Sequence, residues 1–185
     1  MRQSSLTDEQ LAVRVRSGDL QAVTELYSRW KNGLFRFCLR MVSDTNAAED
    51  IIHDAFVKLI EERRSVHDPA ALRSWMYTVV RNGALSFLKR GKRLRPIDDD
   101  DENIFDVAMP ESLESVEQKR QIERLLDRLL PQYKEVLLLR EYESMNYEEI
   151  AAVTASSVSS VKSRLFKARR ALYKEMEPLR KASEL

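Results

Sequence analysis

The sequence predicts an all-α protein built as two small helical domains joined by an acidic linker. Three observations carry that expectation. Only 4 glycines and 5 prolines occur in 185 residues, and long stretches lack both, which favours helices over turn-rich sheets. Apolar residues recur with a helical period on both sides of the middle of the chain. Between these two parts the charge changes sign abruptly: Arg73 to Arg95 carries seven basic residues and no acidic one, and Ile97 to Glu117 carries nine acidic residues and no basic one. The formal net charge of +1 therefore hides a cationic face beside an anionic tether, an arrangement that asks for a polyanionic partner. The expected division is 1–91, a linker at 92–116, and 117–185.

In the first domain, Thr7 and Gln10 form a capping-box pair and Gly18 closes a short helix over 8–17. Asp19 caps a second helix, whose apolar stripe runs through Ala22, Leu26, Trp30, Leu34, Phe37 and Met41 to the polar break at 43–46. The third helix has the clearest amphipathic pattern. Ala48, Ile51, Ile52, Ala55, Phe56, Leu59 and Ile60 follow a helical spacing, and Asp50, His53, Asp54 and Lys58 occupy the opposite edge. Asp68-Pro69 signals another helix start, with a carboxylate cap and a proline in the first turn. From there a helix is expected to about Arg90, with Leu72, Met76, Val79, Val80, Gly83 and Phe87 inward. Its outward face presents Arg73, Tyr77, Arg81 and Lys89, with Thr78 and Asn82 at the margin. Trp75 fits either the core or the outer face.

After Arg95-Pro96 the run Asp98 to Glu102 opens a segment of low hydrophobicity and strong self-repulsion, expected to be a flexible linker. The helical period returns at Glu117 with Ile122, Leu125, Leu126, Leu129 and Leu130, and Pro131 restarts the chain into a helix containing Val136 to Tyr142. Asn146 and Glu149 form a second capping box, with Met145 and Ile150 as its hydrophobic staple, and the short helix that follows ends at Thr154-Ala155-Ser156. Ser157 caps the last helix. Its inner positions are Val158, Val161, Leu165, Ala168 and Leu172, and its outward ones include Ser159, Ser160, Lys162, Ser163, Arg164, Phe166, Lys167, Arg169 and Arg170. Two helices, a turn of three residues and a basic second helix make a helix-turn-helix.

At these residues the chain resembles the extracytoplasmic-function group of sigma-70 type RNA polymerase sigma factors. The string AEDIIHDAFVKLIEE followed by LRSWMYTVVRNGALSFLKR is similar to the family's region 2, and LPQYKEVLLLREYESMNYEEIAAVTASSVSSVKSRLFKARRALYKEM is similar to its region 4. The resemblance implies a protein that binds core RNA polymerase, at the clamp helices of the largest subunit and at the flap, and directs promoter-specific initiation. It assigns Asp50, His53 and Asp54 to the polymerase clamp. It assigns Arg73, Tyr77, Thr78, Arg81, Asn82, Lys89 and Arg90, with the loop from Val66 to Ala71, to the melted minus-10 strand. Aromatics, short polar groups and phosphate-holding cations are the chemistry that separated bases require. Ser159, Ser160, Lys162, Ser163, Arg164, Phe166 and Lys167 fall to the minus-35 duplex. There Lys162, Ser163 and Arg164 reach base edges or phosphates, and Lys167, Arg169 and Arg170 position the backbone. The family further implies an anti-sigma factor, usually membrane-linked, that wraps or wedges between the two domains and hides the polymerase-binding edge.

Two departures from the family pattern stand out. Primary sigma factors place a tryptophan pair where this chain has Thr78 and Val79, which implies weaker strand separation and stricter dependence on promoter sequence. The helix-turn-helix turn carries Ala155 and Ser156 where glycine and an apolar residue are common, and a left-handed alanine costs about 1–2 kcal/mol. Other functions find little in the sequence. His53, His67 and Cys38 are too scattered for a metal site, no glycine-rich phosphate loop exists, and neither catalysis nor a cofactor is expected. A single cysteine excludes an intrachain disulfide, and no apolar run approaches the roughly 20 residues of a membrane span, so a cytoplasmic protein without direct membrane insertion is expected. The alternative is a helix-turn-helix regulator that acts without being a polymerase subunit. It would need a dimerisation helix and would ignore core polymerase.

Overall fold

The computed structural model of the chain describes residues 6–65, 68–91 and 124–183, and the chain divides into two compact units, Met1–Phe87 and Leu88–Leu185. All regular structure among the described residues is helical. The expected linker at 92–116 lies outside them.

In the first unit, α1 (Asp8–Arg16) starts at the expected capping box, in which the Gln10 amide donates to the Thr7 hydroxyl at 3.2 Å and the Thr7 amide donates to the Gln10 side chain at 2.9 Å. Gly18 takes φ +92°, a conformation open to glycine at no steric cost, and this turns the chain into α2 (Leu20–Val42). Asp19 caps α2 by accepting from the Gln21 and Ala22 amides, and Arg14 binds its other carboxylate oxygen. Asp8 ties the two helices together: Oδ1 accepts from Arg29 Nη1 and Oδ2 from Trp30 Nε1, both at 2.8 Å. Ser43, in the left-handed region, and Asp44, the next N-cap, fold the chain back into α3 (Thr45–Glu61), which packs along α2. A single 3-10 turn at Arg63–Ser65 rests on α1 and α3.

The fourth helix, α4 (Leu72–Arg90), begins later than Pro69. The cause is local. Asp68 accepts from the Ala70 amide through its side chain and from the Ala71 amide through its carbonyl, and the Leu72 amide turns to the Pro69 carbonyl. This is a tight three-residue pattern, and the first four-residue step runs from Trp75 to Ala71. Along α4, Leu72, Met76, Tyr77, Val80 and Ala84 are buried, whereas Trp75, Val79, Gly83 and Phe87 are only half-buried. Gly83 allows α3 to approach, since a Cβ there would stand 2.8 Å from Ile51 Cγ2. The α3 stripe is buried as expected at Ala48, Ile52, Ala55, Phe56 and Leu59, with Ile51 at its margin and Ile60 exposed.

In the second unit a helical stretch at 124–128 precedes α5 (Pro131–Glu141), which has proline in its first turn and no side-chain cap. Six consecutive α5 residues, Lys134 to Leu139, are buried. Lys134 is compensated by Asp127, 2.7 Å from its ammonium. The next helix, α6 (Tyr147–Thr154), opens on the Asn146–Glu149 capping box, with Met145 and Ile150 fully buried beside it. It is followed by α7 (Val158–Ser183), whose Ser157 hydroxyl accepts from the Ser160 amide. Packing of α7 on both α5 and α6 buries Val161, Leu165, Ala168 and Leu172.

Candidate nucleic-acid interface

The turn between α6 and α7 sets the second unit's geometry. Ala155 occupies the left-handed region at φ 50°, ψ 46°, so the expected steric cost is carried rather than avoided. In return, the Ser156 amide reaches the Ala151 carbonyl at 3.0 Å and the Ala155 amide reaches Ala152 at 3.3 Å, a Schellman closure that satisfies the last carbonyls of α6. Thr154 is buried, donates to the Ile150 carbonyl at 2.7 Å and shares a hydrogen bond with the Ser156 hydroxyl. The direction in which α7 leaves α6 is thus fixed by hydrogen bonds as well as by apolar packing.

On α7, Ser159, Lys162 and Ser163 are exposed, and Ser160, Arg164, Phe166 and Lys167 are half-buried. The basic residues are held from behind by the other helices. The Lys162 ammonium lies 5.5 Å above the ring of Tyr147 at the start of α6, and Arg140 lies 4.9 Å from the same ring. Arg140 is itself anchored by donating to the Met145 carbonyl. Arg164 Nη1 stands 3.7 Å from Glu135, and Arg169 binds Glu141 at 2.8 Å. These supporting groups were missed in reading the sequence. Glu135 had a legible signal, because it sits three and four residues before Leu138 and Leu139 and so shares their inward face.

In the first unit, Asp50, His53 and Asp54 all lie exposed on one edge of α3. On α4 the margin residue Asn82 is exposed and accepts from Arg81, Thr78 is half-buried with its hydroxyl turned to the Ser74 carbonyl, and Lys89 and Arg90 are exposed. Tyr77 departs from its expected place. It is 3% exposed, with its ring edge-on to Phe37 at 5.5 Å and the Arg73 guanidinium 5.4 Å from its centroid. A position one residue after Met76 and three before Val80 falls within the inward arc once that arc widens to meet α2. The ring is therefore not an outward platform for a base; it supports Arg73. Val66 and His67, in the loop assigned to the minus-10 strand, lie outside the described residues.

Among the described residues no group of three or more His, Cys, Asp or Glu side chains could hold a metal ion, and no helix is long and apolar enough to cross a membrane. Cys38 is buried, and burial pushes its thiol up to about 12, which suppresses the reactive thiolate.

A bundle with a basic helix and a separate helix-turn-helix unit with a cation-bearing second helix define a two-part nucleic-acid-binding protein. The chain matches the family models for Sigma-70 region 2 over residues 26–94 and Sigma-70 region 4 over residues 119–172. It is 30% identical to the RNA polymerase sigma-H factor of Pseudomonas aeruginosa, over 93% of this chain and 95% of that protein. It is 32% identical to the ECF RNA polymerase sigma-E factor of Haemophilus influenzae, over 94% of this chain and 97% of that protein. The chain belongs to the sigma-70 family of RNA polymerase sigma factors, in its extracytoplasmic-function group. Its fold is similar to that of CnrH, solved in complex with the cytosolic domain of CnrY, with a TM-score of 0.71 at 21% identity over 92% of this chain and 97% of that one. It is also similar to RpoE of Bartonella quintana, solved with the anti-sigma factor NepR, with a TM-score of 0.65 at 24% identity over 83% of this chain and 96% of that one.

Proposed function

We propose that the chain is a dissociable subunit of RNA polymerase that works on cytoplasmic DNA: it binds the core enzyme and selects promoters through a minus-35 duplex and a melted minus-10 strand. The observation that carries this reading is the pairing, in one chain, of an exposed polar edge on α3 with a separate helix-turn-helix whose α7 carries ordered cations. In this reading Asp50, His53 and Asp54 dock the largest-subunit clamp helices. Arg73, Thr78, Arg81, Asn82, Lys89 and Arg90 hold and read the separated strand, with Tyr77 bracing Arg73 from the core. Ser159, Ser160, Lys162, Ser163, Arg164, Phe166 and Lys167 face the duplex, and the second unit also meets the flap. The acidic segment 92–116 tethers the two halves. RpoE of Bartonella quintana, whose fold is similar, was solved with the anti-sigma factor NepR, which supports control of this chain by an anti-sigma factor; in this reading that factor is membrane-linked and covers the polymerase-docking edge. The chain's work is binding rather than catalysis.

Docking on core polymerase separates this reading from that of a free-standing regulator. The purified chain should co-purify with core enzyme. Asp50→Arg combined with Asp54→Arg should abolish co-purification while helical circular dichroism is unchanged. Both positions are exposed, so loss of the fold is not expected. Normal binding by the folded double variant would remove α3 as the docking edge, and failure of the parent chain to bind core would favour the free-standing regulator.

A further inference from the structure

Arg164 is held by a carboxylate from beneath the DNA-facing surface. The partner, Glu135 on α5, has a side chain only 1% exposed, whereas that of Arg164 is 27% exposed, and the two lie 3.7 Å apart. A buried carboxylate is costly unless cations and donors compensate it, and Arg164 is one of the groups that do so, at ion-pair distance rather than in a hydrogen bond. The guanidinium has five N–H donors on a rigid planar fork. One edge can face Glu135 while another is turned outward. Arg164 thus differs from its neighbour Lys162, a rotatable point charge resting on the Tyr147 ring.

We propose that Glu135 is a positioning residue for promoter selection: it orients Arg164 and opposes its charge, so that Arg164 reads a base edge rather than serving as a phosphate clamp. The inference rests on the reading of α7 as the minus-35 helix. Two consequences follow. Orientation before binding lowers the side-chain ordering cost of a bidentate base contact. Charge opposition lowers the pull of Arg164 on phosphate, which carries no sequence information. Removing the charge of Glu135 should therefore loosen discrimination and strengthen non-specific attraction together, whereas a residue that only stabilised the unit would do neither.

The test uses the full chain assembled with core polymerase, a promoter library randomised across the minus-35 element, and competition by non-specific duplex at several salt concentrations. Arg164→Ala should lose about tenfold discrimination at one base pair. Glu135→Gln should lose discrimination at that same base pair and steepen the salt dependence of binding by up to about one unit of log-log slope. The double variant should be no worse than Arg164→Ala alone, and Glu135→Asp should keep the parent's salt slope. If Glu135→Gln does not fold, Arg164→Lys takes its place. It keeps the charge and lacks the fork, and it should lose discrimination at that base pair with the parent's salt slope. The proposal is overturned if folded Glu135→Gln keeps the parent's base preference and slope, if the double variant is worse than Arg164→Ala, or if Arg164→Lys discriminates as the parent does. A parent holoenzyme with no preference in the minus-35 element would overturn the underlying reading as well, and is told apart by the parent alone.

Discussion

Tyr77 carries weight in the first unit because its ring lies between Phe37 and the guanidinium of Arg73. Truncation of such a buried ring costs about 3–5 kcal/mol. Tyr77→Ala should therefore lower the unfolding midpoint sharply, while Tyr77→Phe keeps the packing and leaves open-complex formation on duplex promoters close to the parent's. A large opening defect in a stably folded Tyr77→Phe variant would instead mean that the hydroxyl, and not only the packed ring, serves promoter opening. Asn82 behaves differently because it is exposed: Asn82→Ala should alter the preferred minus-10 base without changing the melting temperature, as read by initiation on templates carrying every base there. Ala155 offers the opposite case, a residue whose replacement gains stability. Its φ of 50° is strained for alanine and free for glycine, so Ala155→Gly should stabilise the second unit by about 1 kcal/mol, measured by denaturant unfolding. The sequence exposed the anomaly at this turn, and the hydrogen bonds of Ser156 and Thr154 explain why the strained geometry persists. Side-chain direction was harder to read: an outward place beside Arg73 and Arg81 and the family resemblance assigned Tyr77 to DNA, whereas its ring packs inward against Phe37.

Helix termini were the most legible elements, because a cap is a short-range arrangement of an oxygen and the amides two or three residues later. Thr7–Gln10, Asp19, Asn146–Glu149 and Ser157 all act where the sequence placed them. The start of α4 was less legible, since Asp68 can close a tight turn or open a helix with the same carboxylate. Contacts across the sequence were least legible. The close approach of α3 and α4 at Gly83 depends on where Ile51 projects, and the Cγ2 that a new methyl would meet at 2.8 Å belongs to a stiff β-branched side chain. Gly83→Ala gains about 1 kcal/mol of helix propensity but meets an overpacking cost of about 1–3 kcal/mol. The melting temperature should fall, and Ile51→Ala added to Gly83→Ala should cost less than the sum of the two single changes. Additive losses would mean that the helices do not touch at that point.

At the scale of the molecule, the sequence reveals the two-part organisation because charge and hydrophobic period are properties of long windows. It does not reveal which partners arm α7: Glu135 was legible only as an inward residue, and the pairing of α7 cations with Glu135, Glu141 and the Tyr147 ring is set by the packing of α5 and α6 on that helix. On the proposed reading, a polar docking edge in one unit and a duplex-reading helix in the other serve one assembly. Neither unit alone would then direct transcription from a chosen site. The most direct measurement is initiation by purified core polymerase on a promoter library, with and without the full chain. Transcripts should arise from a narrow set of templates sharing paired minus-35 and minus-10 elements, and only when the chain is added. They should be lost on duplex DNA when Asp50 and Asp54 are reversed to arginine. Transcripts independent of the chain, or a chain that binds duplex promoters tightly yet never changes where core polymerase starts, would contradict the proposed reading.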